Sequence, residues 1–149
     1  YAALARALAD ERAVVVVGGP ADGEAARAIV AACAGAAWPA LDATGRLSLL
    51  ASAALIARAA LLVTNDSSPQ HLASAVGTRT LTIFGPTVPA FGFGPLAPGS
   101  ATLGVEGLAC RPCDPHGPPR CPLGHWRCMR DLGEDVVLSR ARAMLTEVA

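Results

Sequence analysis

The feature that most constrains the fold is a recurrence. Short β-branched apolar runs are stopped by glycine or a polar cluster, and alanine-rich sequence at helical spacing follows. "AVVVVGG" precedes "PADGEAARAIVAACAGA"; "ALLVTND" precedes "SSPQHLASAVG", which leads into "TRTLTIFG". A valine run without polar alternation predicts a strand buried on both faces. "WPALDA" and "ATLGVEG" read as shorter strands. "YAALARALADE" and "GRLSLLASAALIARA" read as helices, the second with Ser48 as a possible cap. Strands alternating with helices over short connections imply βαβ units. The expected fold is therefore α/β, a parallel sheet with helices on both faces. A cysteine- and proline-rich loop over 107–130 precedes a closing helix at about 133–148, before which Asp131 and Glu134 stand at capping-box spacing.

Composition narrows what such a sheet can serve. The 149 residues, 52% hydrophobic and 16% charged, suit a single domain over 1–149 with its own core. A formal net charge of zero offers no general attraction to nucleic acid or anionic membrane, so a partner must be recognised locally. All twelve basic residues are arginine, which excludes lysine Schiff-base chemistry within the chain. Tyr1 in place of an initiator methionine implies a piece of a longer protein. No secretory signal opens the sequence, and the apolar stretch Leu47 to Val63 is interrupted by Arg58. That stretch falls short of the ~18 clean apolar residues a membrane span needs and reads as a core helix followed by a strand. Five cysteines, an odd set without a signal, point to a reducing cytoplasm.

The break between two buried strands is the candidate site. Asn65, Asp66, Ser67, Ser68 and Gln70 crowd there around Pro69, with His71 behind them. In an open α/β sheet, ligands sit beyond the carboxyl ends of the strands, where loops enter helices. Ser68 is placed to cap the helix, with Pro69 at the first helical position, where its missing N–H costs nothing. The remaining amides and the positive end of the dipole suit a phosphate. Ser67 adds a hydroxyl and His71 an imidazole. Asp66 suits loop amides or a sugar hydroxyl better than an anion. A capped helix needs only one of these side chains, so their concentration argues for a ligand. Thr87, in "FGPTVPAFGFGP" after the next strand, lies at the same edge and either lines the site or belongs to a rigid glycine-proline connection.

The stretch "NDSSPQHLASAVGTRTLTIFGPTVP", with "VVVVGGPADGEAARAI" upstream, resembles glycosyltransferase family 9, the ADP-heptose:lipopolysaccharide heptosyltransferases. "CRPCDPHGPPRCPLGHWRCMRDLGEDVV" resembles the heptosyltransferase II branch of that family. The resemblance implies a Rossmann-like domain, the donor-binding, C-terminal half of a GT-B glycosyltransferase, with ADP-heptose as donor and no required cofactor. It places Asp66, Ser67, Ser68 and His71 around the diphosphate and sugar, Leu47 against the adenine, and Glu24, ahead of Asp22, at the ribose. Ser68 stands where the family most often has glycine. The lipopolysaccharide-core acceptor and the aspartate base are expected in an N-terminal domain that this chain lacks. The implied location is the cytoplasm, with the inner face of the inner membrane as the implied alternative for the whole enzyme. A GT-B enzyme with a UDP-sugar donor, or a non-catalytic zinc-stabilised binding module, are the rival readings.

Cys110, Cys113, Cys121 and Cys128, with His116 and His125, are the candidate zinc ligands. Structural zinc favours two tight pairs, and only Cys110 and Cys113 form one. The spacing therefore favours reduced thiols packed under a proline-rich loop over a metal. Cys33, inside an alanine-rich helix, reads as a small core residue.

Overall fold

A computed structural model describes residues 1–147. The fold is α/β, as the alternation implies, and it divides into two compact units, Tyr1–Ser52 and the remainder from Ala53. The first holds helix α1 (Ala2–Leu8), strand β1 (Val15–Val16), helix α2 (Gly23–Ala32) and strand β2 (Leu41–Asp42). The strands pair in parallel, Val15 opposite Leu41 and Val16 opposite Asp42. Amide bonds from Leu41 to Val14, Ala43 to Val16 and Gly45 to Gly18, each 2.9 Å, carry the pairing past the assigned strands. Ala5, Ala9, Cys33 and Ala40 form the core of this unit, with Val14, Ile29, Val30 and Ala36 packed against it. Such small side chains let helix and strand backbones approach closely. Cys33, 1% exposed, is a small core residue, as its setting implied.

The valine run departs from expectation. Val14 packs into the core, whereas Val15 is 39% exposed. Successive side chains of a strand point to opposite faces, and within this unit only one face meets the alanine core.

Helix α3 (Leu49–Ile56) straddles the boundary between the units. Ser48 caps it, accepting the Ala51 amide on its hydroxyl at 3.2 Å. The second unit contains strand β3 (Leu62–Asn65), helix α4 (Ser68–Val76), strand β4 (Thr80–Ile83), strand β5 (Ala101–Leu103) and helices α5 (Arg127–Arg130) and α6 (Glu134–Thr146). Its three strands are all parallel in the order β3-β4-β5, with Leu62 opposite Thr80 and Leu81 opposite Ala101. β4 is buried along its whole length because it lies between two neighbours. The Thr78 hydroxyl donates to the Ile56 carbonyl at 2.9 Å, tying the end of α3 to the chain entering β4.

α6 buries Val137, Ala141, Met144 and Leu145, spaced at i, i+4, i+7 and i+8 as one helical stripe. Its start differs from the expected capping box. Gly133 is the N-cap, and Asp131 pairs instead with Arg127 at 2.7 Å, one turn back along α5. The last carbonyls of α6 are met by Arg79, which donates to Met144 O at 2.8 Å and to the Glu147 carboxylate at 2.9 Å. A cation there also complements the helix dipole. Among the described residues, no helix is long and apolar enough to cross a membrane.

Gly77 closes α4, as expected, at φ 77. A Cβ built there would meet nothing within 4 Å, so substitution carries only the left-handed backbone strain. Gly77→Ala is expected to lower unfolding free energy by about 1 kcal/mol, measured by urea denaturation. A loss several times larger would mean that the turn carries contacts beyond its dihedrals.

Candidate functional site at the ends of β3 and β4

Because β3 and β4 run in parallel, the residues after Asn65 and after Ile83 emerge at the same edge of the sheet. There the Thr87 hydroxyl donates to Asp66 Oδ2 at 2.8 Å. Thr87 is 4% exposed, so this bond fixes the carboxylate against a buried anchor. The two residues, twenty-one apart in sequence, are thus brought together by strand pairing. Thr87 therefore spends its hydroxyl on Asp66.

The start of α4 is shifted by one residue from the expected cap. Ser67 is the N-cap, in extended conformation, and Ser68 begins the helix with Pro69 behind it. Ser67 Oγ makes no cap bond; it donates to Asn65 O at 3.2 Å and lies 3.2 Å from Thr64 Oγ1. The hydroxyl follows the strand end because Thr64, in β3, offers a partner on that side. Pro69 has no N–H, and the Gln70 amide donates to Ser67 O at 3.1 Å. These features leave the Ser68 amide as the open donor of the first turn. Ser67, Ser68 and His71 are all exposed beside it.

Two further residues build this edge: Gln70, which the sequence placed in the polar cluster without a role, and Arg111, which it did not assign to the site. Gln70 is fully buried, its amide nitrogen donating to Phe93 O and its Oε1 without a hydrogen-bond partner. It holds the glycine-proline segment over α4. Ser74 assists by donating to Gln70 O at 3.0 Å and accepting the Leu96 amide at 3.0 Å. Arg111 donates to Phe84 O at 3.0 Å, Val105 O at 2.7 Å and Thr87 O at 3.2 Å. Gln70 stood in the polar cluster, where its burial carried no distinguishing mark. Arg111 stood between two cysteines that drew attention to metal chemistry.

Glu24 and Leu47 belong to the first unit. Glu24 is exposed in the first turn of α2. Asp22 accepts the Gly19 amide at 2.8 Å, closing the turn that leads into that helix. Leu47 does not open α3; it precedes the cap residue Ser48 and is 38% exposed. The serine hydroxyl starts the helix at Leu49, two residues after Leu47.

The cysteine segment lies in the second unit. Cys110, Cys113, Cys121, Cys128 and His125 line one cavity of about 360 Å³. Every cysteine among the described residues is a free thiol. The backbone amide of Trp126 foremost, then those of Leu123, His125 and Gly124, hydrogen-bond the Cys121 sulfur and hold its thiol below the usual range. Burial pushes the Cys128 thiol up. As the side chains stand, no group of three or more His, Cys, Asp or Glu among the described residues is arranged to hold a metal ion.

Parallel β-α units with a hydroxyl-anchored carboxylate beside a helix start at the strand ends define an α/β scaffold of the Rossmann-like class. The model of glycosyltransferase family 9 (heptosyltransferase) matches residues 1–119, and the chain belongs to that family. It is 39% identical over 88 residues to lipooligosaccharide heptosyltransferase 2 of Campylobacter jejuni serotype O:2, covering 57% of this chain and 25% of that protein. The serotype O:6 counterpart is 36% identical over 89 residues, covering 58% of this chain and 26% of that protein. Among solved structures it resembles E. coli ADP-heptose LPS heptosyltransferase II, with TM-score 0.77 and 26% identity over 99% of this chain and 40% of that one. A family 9 glycosyl transferase from Veillonella parvula gives TM-score 0.76 and 25% identity, over 99% and 42%. The chain thus spans about a quarter of the curated relatives and two fifths of the solved ones.

Proposed function

We propose that this chain is the donor-binding part of an inverting heptosyltransferase that takes ADP-heptose and serves assembly of the lipopolysaccharide inner core in the cytoplasm. The observation that carries the reading is the Thr87–Asp66 hydrogen bond beside the open first turn of α4. It orients the Asp66 side chain next to donors that suit a diphosphate. In this reading the Ser68 amide, the Ser67 and Ser68 hydroxyls and His71 bind the diphosphate, with the helix dipole behind them. Asp66 keeps its second oxygen for a sugar hydroxyl, since a carboxylate pressed against phosphate would be repelled. Glu24 takes the ribose and Leu47 the adenine, as the family resemblance implies.

Inverting transfer needs an acceptor oxygen to attack the anomeric carbon from the face opposite the diphosphate. A base removes the acceptor proton as the bond to the diphosphate breaks. The base and the acceptor site are assigned to the portion of the relatives that this chain does not span. What these residues contribute is stabilisation of the departing diphosphate by fixed donors, which need no reorganisation as charge develops.

Calorimetric titration with ADP, UDP and GDP tests the reading. ADP is expected to bind in preference to the other two, and Asp66→Asn to weaken ADP-heptose by about tenfold while leaving ADP within about twofold, because the carboxylate faces the sugar. Preference for UDP would move the chain to another donor class. No nucleotide binding at all would remove the donor assignment.

A further inference from the structure

The proline-rich segment after β5 reaches the site edge only through Arg111 and the Cys113 amide, yet it gathers four cysteines between 110 and 128. The spacing of Cys121 and Cys128, seven apart, does not resemble a tight ligand pair. The fold removes that objection. A turn closed by the Gly124 amide on Cys121 O at 3.0 Å reverses the chain, and α5 then carries Cys128 back, so that both face the cavity lined by Cys110 and Cys113. We propose that Cys110, Cys113, Cys121 and Cys128 bind one zinc ion through their four sulfurs, and that this ion braces the loop carrying Thr87.

The turn between Cys121 and Cys128 is built for that approach. Gly124 (φ 71) and Trp126 (φ 55), the latter the one non-glycine with positive φ among the described residues, take the left-handed region there and set the two cysteines on one cavity. Thiolates gathered together need a cation, and the guanidinium beside them, Arg111, already donates to three carbonyls.

His125 completes the arrangement from outside. Its Nδ1 accepts the Arg127 amide at 3.0 Å, so in the neutral ring the proton sits on Nε2, 3.9 Å from Cys110 Sγ. That is the position of an outer donor which orients a ligating sulfur. Cys113 at present donates its thiol proton to Cys110 O at 3.0 Å. Loss of that proton and rotation about its Cα–Cβ bond turn the sulfur inward, and the cavity has the room. Each of the four thiols releases one proton to solvent as it ligates, leaving a zinc dication among four thiolates. The consequence reaches the site edge: the Cys113 amide donates to Pro86 O at 2.9 Å, and Arg111 grips Thr87 O.

Cobalt(II) titration of the reduced, chelator-treated chain reads this out. Binding is expected to saturate at one cobalt per chain, with a thiolate charge-transfer band and tetrahedral d–d bands that one equivalent of zinc abolishes. Cys113→Ser and Cys121→Ser are each expected to weaken cobalt at least about 100-fold, and His125→Asn about tenfold with the band retained. Cys33→Ala, in the other unit, is expected to change nothing. Circular dichroism of the metal-free variants separates loss of a ligand from loss of the fold. Absence of the charge-transfer band with all five thiols titratable would overturn the proposal. So would a band undiminished in Cys121→Ser, or a disulfide within the cluster of anaerobically purified chain.

Discussion

Phe84→Ala is expected to lower the unfolding free energy by about 3–5 kcal/mol, the largest stability loss of any single truncation considered. Phe84 is 0% exposed and heads the fully buried side chains in volume. Its amide donates to Leu103 O at 2.8 Å, extending the β4–β5 ladder into the loop that carries Thr87. Truncation removes the ring from a close-packed interior and leaves a void that neighbours on parallel strands fill only in part. Equilibrium urea unfolding of the reduced chain is the measurement. The midpoint should fall without change in slope, and Phe84→Leu should retain most of the stability. A loss below about 1 kcal/mol would show that the site refills and that the ring does not hold the sheet.

The second large effect is expected at Arg111, where Arg111→Met should cost about 2–3 kcal/mol and weaken ADP binding about tenfold. One guanidinium satisfies the carbonyls of Phe84 and Thr87, just after β4, and of Val105, just after β5. Methionine keeps much of the apolar stem but leaves three carbonyls without that donor. Arg111→Lys should not restore the loss, because a single ammonium cannot span the three directions that a planar fork reaches. The packing is tight enough to be tested from the other side. A Cβ on Gly104 would stand 2.5 Å from the Arg111 guanidinium and 2.9 Å from Phe84 O. If Arg111→Met changed stability but left ADP binding untouched, the clamp would be structural alone and Thr87 would not depend on it.

The comparison between sequence and structure is sharpest at single residues. Alternating β-branched runs and alanine helices specify α/β units without help from a tertiary partner, because periodicity of burial is a local property. The family was legible in the stretch from Asn65 to Pro89, where motif and turn chemistry coincide. Cap placement was not. Ser67 and Ser68 are chemically equivalent in sequence, and only the structure shows Ser67 at the cap position with its hydroxyl turned back to Thr64 and Asn65. Asp131 was drawn from its capping-box position by Arg127, a competitor one helical turn away. Val15 looked like its neighbours in the valine run, yet only the arrangement of α1, α2 and β2 decides which face is covered.

By itself the sequence determined the alternation of strands and helices as far as β5, the closing helix, the parallel sense of the pairing and the polar start of α4, but not α5, which lies in the expected loop over 107–130. Tertiary structure alone decided that Thr87 anchors Asp66, that Gln70 and Arg111 hold the loops around them, and that four distant thiols share one cavity. The reason is physical. Local pattern encodes each residue's own dihedrals and burial period, whereas a hydrogen bond between residues twenty apart exists only once strand register has set where both chains end.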